Sequence, residues 1–542
     1  MTTTIRKTLI CVLLIAAVLI GYFLLPADVV DGVIQHTANK HVTKTRRNHV
    51  IEDGVSESNT AAASRSTSKP YNLYDTAAAA VAIDSEEQFT ALSARAKELG
   101  VSAKWNPALR RMMLHGRDDV VRNLLADKQF ADLETEYNIF VSLIPEKQTE
   151  HIIGPSGPPF RDTALKWMGI KDDDKPNGHS VKIALLDTAV DLSAPVLANA
   201  KIVSDDLFGL GAVSASHGTM VASLLAGSSE LVDGAAKDAE IIAIPVMDAD
   251  GNGYVFTLAD GIVAAADSGA QIISMSLSCP YDSAVLRAAV DYAISKGCVI
   301  VAAAGNEGVA VDGTSTVGYP AAYDGVIAVG AVNASGGRAG FSSTGKELTV
   351  VAPGVGIYAE DSNGTQLFGG TSAATPLAAG AIAYVMGEKE NISAVEAAKM
   401  LLEHTNDAGM PGVDEEYGLG QLNVERALKS DVQGYSDHAA ADIVINKNDD
   451  GTRSVYFTAQ NRGNETIGEI TLNCTLVFSN TEDITETIEF NDVKANQSVS
   501  LKIDVPDGMT PVVGHVFVSS SSEDGDPDNN TKIRLLEGDG DN

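Results

Sequence analysis

A chain of 542 residues with 44% hydrophobic content can supply two or three domains with real cores, and is too apolar to be wholly disordered. A formal net charge of −33 sets it against nucleic acid and anionic membrane surfaces as partners, since both would repel it. Four cysteines in a chain of this length do not make a disulfide scaffold.

The chain opens on a targeting segment. Arg6 and Lys7 precede an uncharged apolar run over residues 9–25, and polar sequence starts at Asp28. The run is long for a signal-peptide core and slightly short for a spanning helix. Ala27 offers one small residue for a cleavage site, and Leu25 fills the other position poorly. Residues 1–27 therefore read as a signal peptide or a signal anchor. Either one exports the rest of the chain, because the positive flank stays inside. Residues 28–78 are polar, rich in Ser, Thr and Ala, and lack sustained apolar periodicity; they read as a spacer.

Residues 79–146 read as a small α+β module. Ser85 and Gln88 fit a capping box, after which Phe89, Leu92, Ala96 and Leu99 mark one helix face. A second short helix is expected over 118–126, and Tyr137, Ile139, Val141 and Leu143 alternate as a half-buried strand. The expected order is strand, helix, strand, helix, strand.

Chemistry begins near residue 182. The run Val181–Leu186 is a buried strand ending at Asp187, which puts that carboxylate at a strand's carboxyl edge, where α/β proteins carry their sites. Ser216, His217, Gly218 and Thr219 then open a buried small-residue helix over 221–226. Alone, Asp187 reads as a turn former and His217 as a structural histidine. Two parallel-strand signals come next, at 272–277 and 299–304, joined by helical spacing over 284–295. The second leads into Gly305 and Asn306, an amide donor at the same edge. Further on, Gly369 and Gly370 permit a tight turn, and Ser372 is presented at a helix N-terminus just before Pro376, expected near that helix's first turn. Acyl transfer needs a hydroxyl, a base, an acid to hold the base, and donors for the oxyanion. Ser372, His217, Asp187 and Asn306 supply these in the order Asp, His, Asn, Ser.

On these motifs residues 167–428 resemble the subtilisin-like serine peptidases, the subtilases. The likeness includes Ser315–Pro320, Val326–Gly330, Val351–Gly354 and Tyr417–Asn423. It implies an α/β catalytic domain over 147–430, with a central parallel sheet and helices on both faces. It also implies endopeptidase chemistry on polypeptide substrates with no cofactor. Asn252 and Gly253 on one side, and Ser276, Leu277 and Ser278 on the other, would flank an extended substrate, with Gly318 a further substrate-binding residue. A cis Tyr319–Pro320 bond is implied too. The chain departs from the family at Ala189, Met220, Ala373 and Leu377, all packing neighbours, and at Ser278, where the family has Gly on the pocket rim. The loop 228–233, where relatives often place a calcium ligand, matches poorly, so structural calcium is left without assigned ligands. Asp248–Gly253 imitates half of an EF-hand loop, but the twelfth position is Ala259 rather than Glu.

The resemblance gives the 79–146 module a role as an inhibitory, folding-assisting prodomain, with a junction to be cut somewhere in 144–158. Beyond residue 430, alternating stretches over 442–531 with turn signals at Asp450–Gly451 and Arg462–Asn464 read as an all-β sandwich, residues 438–538. Asn461–Asn464 and Asp526–Asn530 resemble bacterial adhesion-related immunoglobulin-like domains of the CARDB type. Cys279 leaves one strand of a parallel pair and Cys298 enters the next, about 20 Å apart, too far for a disulfide. The expectation is thus an extracellular or cell-surface serine endopeptidase, attached to the membrane if the N-terminal segment is retained. The rival is a degenerate peptidase that binds peptides or surfaces.

Overall fold

The computed structural model describes residues 74–536 apart from 144–156, 172–177, 179, 212–215, 311–312, 390, 449, 480 and 507. The expected targeting segment, residues 28–73 of the expected spacer and nearly all of the junction lie outside the described residues. Among the described residues no helix is long and apolar enough to cross a membrane.

The N-terminal module runs β1 (Tyr74–Ala82), α1 (Glu86–Glu98), β2 (Ser102–Asn106), β3 (Arg111–His115), α2 (Asp118–Leu125) and β4 (Thr135–Leu143). Ser85 and Gln88 form the expected reciprocal capping box at α1. Two details differ from expectation. One middle strand is a hairpin, β2 antiparallel to β3. And β1 starts at Tyr74, inside the stretch read as spacer; its residues 78–82 are buried, on both faces of the strand. Ala79 and Val81 pack into the module's own core with Leu92, Leu114 and Phe130. Ala78 and Ala80 turn to the large core of the next domain. A strand covered on both sides shows a continuous apolar run rather than alternation.

The catalytic region contributes α3 (Ala164–Trp167), β5 (Lys182–Asp187), β6 (Lys201–Ser204), α4 (Ser216–Ala226), β7 (Glu240–Pro245), β8 (Asn252–Tyr254), α5 (Val255–Asp267), β9 (Ile272–Met275), β10 (Leu277–Ser278), α6 (Ala284–Ser295) and β11 (Val299–Ala303). It continues with β12 (Val326–Val332), β13 (Val350–Pro353), the hairpin β14 (Ile357–Asp361) and β15 (Gly364–Phe368), then α7 (Thr371–Glu388), α8 (Ala394–Glu403) and α9 (Val424–Lys429). Seven strands form one parallel sheet in the order β13-β12-β11-β9-β5-β7-β6. Helices flank it, α5 packed on α6 and α4 on α7. From β5 the chain goes first to one side (β6, β7) and later to the other (β9 onward), so the carboxyl end of β5 is a topological switch point.

The C-terminal sandwich stacks β16 (His438–Lys447), β17 (Arg453–Asn461) and β20 (Ser498–Val505) against β19 (Ile484–Val493), β18 (Ile467–Phe478), β21 (Pro511–Ser520) and β22 (Thr531–Leu535). Its core is separate, built on Ile443, Phe457, Leu472, Leu476 and Val518. Strands β19 and β22 lie outside the expected stretches: β19 gives that core Val493 and the partly buried Ile484, Ile488 and Phe490, spread among exposed polar and acidic residues, and β22 turns Lys532 and Arg534 toward the buried Asp442. Module, catalytic region and sandwich belong to one compact unit, Tyr71–Asn542.

Candidate active site

The site is assembled at the ends of β5 and β11 and the start of α7. Asp187, the last residue of β5, is buried, and its Oδ1 lies 2.7 Å from Nδ1 of His217, the second residue of α4. The same oxygen accepts the backbone N–H of Thr188 at 2.7 Å. Helix α4 approaches this turn closely because residue 218 is Gly. A Cβ there would meet the Thr188 carbonyl oxygen at 2.4 Å. Gly218 instead donates its N–H to Thr188 Oγ1 at 3.0 Å. The His217 ring stands edge-on to Phe368, centroids 5.5 Å apart, and Phe368 leads directly into the Gly369–Gly370 turn.

Gly370 adopts φ +97°, a conformation that favours glycine, and a Cβ there would come within 2.9 Å of Asn306 Nδ2. Asn306 lies beyond the end of β11 and is buried. Its carbonyl oxygen accepts both the backbone N–H and the hydroxyl of Thr371, each at 3.0 Å. That pairing orients the amide so that its nitrogen lies on the side of Gly370 and the start of α7.

Ser372 is the second residue of α7, as expected at a helix N-terminus. Pro376 is a correction: it stands inside the helix, in the second turn rather than the first. A proline there cannot donate to the carbonyl four residues earlier, which is that of Ser372. Ser276 fills the gap, donating its hydroxyl to the Ser372 carbonyl at 2.9 Å. In return Ser372 Oγ lies 3.4 Å from the Ser276 carbonyl oxygen. The sequence marked Ser276 only as a flank for substrate; its side chain is part of the serine's support.

The expected flanking strands are present, and something lies between them. Strand β4 of the module runs antiparallel to β10 on one edge and to β8 on the other. Ser142 is paired with both Ser278 and Asn252, Val141 with Gly253, and Leu143 with Leu277. Two module side chains cap the catalytic region's helices: Asn138 Oδ1 accepts from Phe256 N–H at 3.0 Å, and Glu136 accepts from Val285 N–H at 3.2 Å and from the Ser283 hydroxyl. Anionic and polar acceptors suit helix N-termini. No sequence signal marked these two residues. Gly318 lies against Ser278: a Cβ on Gly318 would fall 1.9 Å from Ser278 Oγ. Tyr319–Pro320 is cis.

Asp248 of the EF-hand-like stretch is used in a turn, its Oδ1 accepting from Asp250 and Asn252 N–H at 3.0 and 2.9 Å. In the 228–233 loop Asp233 is paired with Lys237 at 3.2 Å, and Ser229 donates to Glu360. These side chains are engaged with one another, and calcium ligands stay unassigned. Cys279, Cys298 and Cys474 are buried free thiols.

A parallel sheet with an acid–histidine pair at its carboxyl edge and a helix-borne serine held beside an asparagine defines the subtilisin-like class. Comparison with known proteins agrees. Residues 178–420 match the model of the subtilase family. The chain is 39% identical to subtilisin DY of Bacillus licheniformis over 258 residues, covering 46% of this chain and 92% of that protein. It is 40% identical to subtilisin E of Bacillus subtilis over 258 residues, 46% of this chain but only 66% of that protein, just under two thirds. Fervidolysin from Fervidobacterium pennivorans, a keratinolytic enzyme related to subtilisin, shares the fold at a TM-score of 0.55 and 20% identity, covering 82% of this chain and 71% of that one. The chain belongs to the subtilase family.

Proposed function

We propose that this chain is an exported serine endopeptidase, made with its own inhibitor. The observation that carries this reading is β4, an extended segment seated as a third strand between β8 and β10 and ending opposite Leu277, next to the Ser276 that bonds the Ser372 carbonyl. A groove that takes one extended backbone by strand pairing would take another, so the substrate class is polypeptide. Ser372 Oγ attacks the scissile carbonyl, His217 Nε2 takes its proton and returns it to the leaving amine, and Asp187 holds Nδ1–H. Asn306 Nδ2 and the Ser372 N–H stabilise the oxyanion. Water then attacks the acyl–Ser372 ester with His217 again as the base, which releases the acid and restores the serine hydroxyl.

Residues 74–143 act as the prodomain, blocking the groove until the junction beyond them is cut. The apolar run at 9–25 behind Arg6 and Lys7 supports export to the extracellular space or cell surface. The test is expression of Ser372→Ala in a host deficient in other proteases. The variant should keep its full length while the parent loses the module; a variant that matures normally would defeat self-cleavage. A chain that neither matures nor hydrolyses peptides would instead be a degenerate, peptide-binding relative.

A further inference from the structure

A cavity of about 580 Å³ lies between the catalytic region and the sandwich. Its wall includes Val299 and Ile327, at the starts of β11 and β12, and Ser498, the first residue of β20. It therefore sits at the amino edge of the parallel sheet, opposite the edge that carries the serine. Four of its lining residues, Ile294, Val395, Val413 and Leu419, are large apolar side chains 36% to 73% exposed. Such side chains are ordinary when scattered, but these are gathered around one hollow.

The charged side chains of the lining are Lys399, Glu403 and Asp407. Lys399 and Glu403 pair with each other along α8 at 3.7 Å, which leaves Asp407. Asp407 is 5% exposed. Its Oδ2 accepts the Gly412 N–H at 3.0 Å, whereas its Oδ1 is buried with no hydrogen-bond partner. A buried carboxylate oxygen left unmet is costly. Burial pushes this carboxyl up and Asp442 adds to the push; Ser498, the Gly412 N–H and Arg462 oppose it without cancelling it. The anion is short of positive charge and of one donor.

These features select a ligand. A hollow of this size holds a small molecule rather than a folded partner. Its apolar walls call for a hydrocarbon body, and Asp407 calls for a cationic donor. Only one carboxylate oxygen is free, which suits a compact ammonium over a two-pronged guanidinium. We propose that the cavity binds the free amino end of a short apolar peptide, with its ammonium on Asp407 Oδ1 and its first side chains among Ile294, Val395, Val413 and Leu419. This rests on the peptidase reading above: every cut frees an α-amino group, which is mostly protonated at pH 7, so the chain makes such ligands itself. Fragments that begin with apolar residues are held at the seam of the two regions, away from the groove.

The test is calorimetric titration of the full chain carrying Ser372→Ala, in which nothing is cut and β4 fills the groove. Leucyl-leucine amide is the probe, N-acetyl-leucyl-leucine amide its uncharged match, and hexylamine an amine that is not a peptide. The probe should bind at one site, and acetylation should weaken it by about tenfold or more. Asp407→Asn, which keeps an acceptor for Gly412, should weaken the probe to a similar degree. Val413→Lys, a cation set at an exposed position of the lining, should weaken it in the same direction. Thermal melts that match the parent show that the variants fold; if Asp407→Asn does not fold, Val413→Lys decides alone. No binding of the probe, equal binding of the free and acetylated peptides, or binding unchanged in a folded variant would overturn the proposal. So would tighter binding of hexylamine than of the probe. Absence of peptide turnover in the parent would sink the peptidase reading alone, since titration of the Ser372→Ala chain does not depend on it.

Discussion

At the scale of single residues, the serine's support is as informative as the serine. Pro376 cannot donate to the Ser372 carbonyl, and the Ser276 hydroxyl donates to it at 2.9 Å. Ser276→Ala should therefore cost about 1–3 kcal/mol in stability, the penalty of a buried acceptor left unmet, and lower kcat with KM little changed. A melt and a steady-state profile that match the parent would refute this. Ser278 is the second informative residue. Its hydroxyl occupies the space over Gly318 where a Gly at 278 would leave bare backbone. The enzyme is expected to favour small or medium apolar residues before the cut, and Ser278→Gly to restore aromatic ones; a peptide library on the parent dominated by Phe or Tyr would contradict it. Much of this site is legible in the sequence. Asp187, His217, Asn306 and Ser372 stand in motifs whose order alone suggests acyl transfer. The Ser276 side chain is not legible there, because its role depends on where Pro376 falls in a helix whose start the sequence leaves uncertain.

At the scale of elements, β4 is the segment that joins two domains into one sheet. Residues of its first half pair with β1 and those of its second half with β8 and β10. Glu136 at the N-terminus of α6 strengthens the seat. Glu136→Gln removes the charge from a helix end and is expected to weaken the isolated module's inhibition of the mature enzyme by a few-fold, about 0.3–1 kcal/mol. An unchanged inhibition constant would show that strand pairing alone carries the affinity. Beneath β4, Cys279 is buried, and burial pushes its thiol pKa up. It should resist alkylation while the module is in place and react once the module is gone, as read by mass mapping; a Cys279–Cys298 linked peptide would overturn the parallel register itself. The alternation of Tyr137 to Leu143 makes β4 readable. Its neighbour β1 is not, since burial on both faces leaves Ala77–Ala80 without a period of two. Likewise β22 hides its strand character by pointing cations inward.

At the scale of the whole molecule, the sandwich is built into the catalytic region rather than tethered to it. Gln460 accepts from Asp407 N–H at 3.0 Å and donates to the Thr405 carbonyl at 3.1 Å, while Asp442 accepts from Gly409 N–H at 3.0 Å. Arg426 of α9, buried and pushed down to about 9 by that burial, donates to Asn496 at 2.6 Å. In the same junction loop, burial raises Asp414 from the ordinary carboxyl value to about 6. A carboxyl that holds its proton more tightly when folded favours the fold at low pH, and that contribution is lost as pH rises from about 4 through about 6. Asp414→Asn, which keeps an acceptor for the Glu416 and Tyr417 N–H groups, is expected to raise stability at pH 7 by roughly 1–3 kcal/mol and to flatten its pH dependence in that window. Denaturant melts at pH 4 and pH 7 check both. The three-part organisation is legible from composition shifts and turn signals; the welded junction is not, because it depends on polar side chains that meet only in space.

The central claim is that Ser372 is an activated nucleophile served by His217. It is tested most directly by treating the mature protein with a serine-directed fluorophosphonate and mapping the adduct by mass spectrometry. The predicted result is one label per chain, on Ser372, lost in His217→Ala. A protein with an open groove that takes no label at Ser372, or takes it equally well without His217, would contradict it.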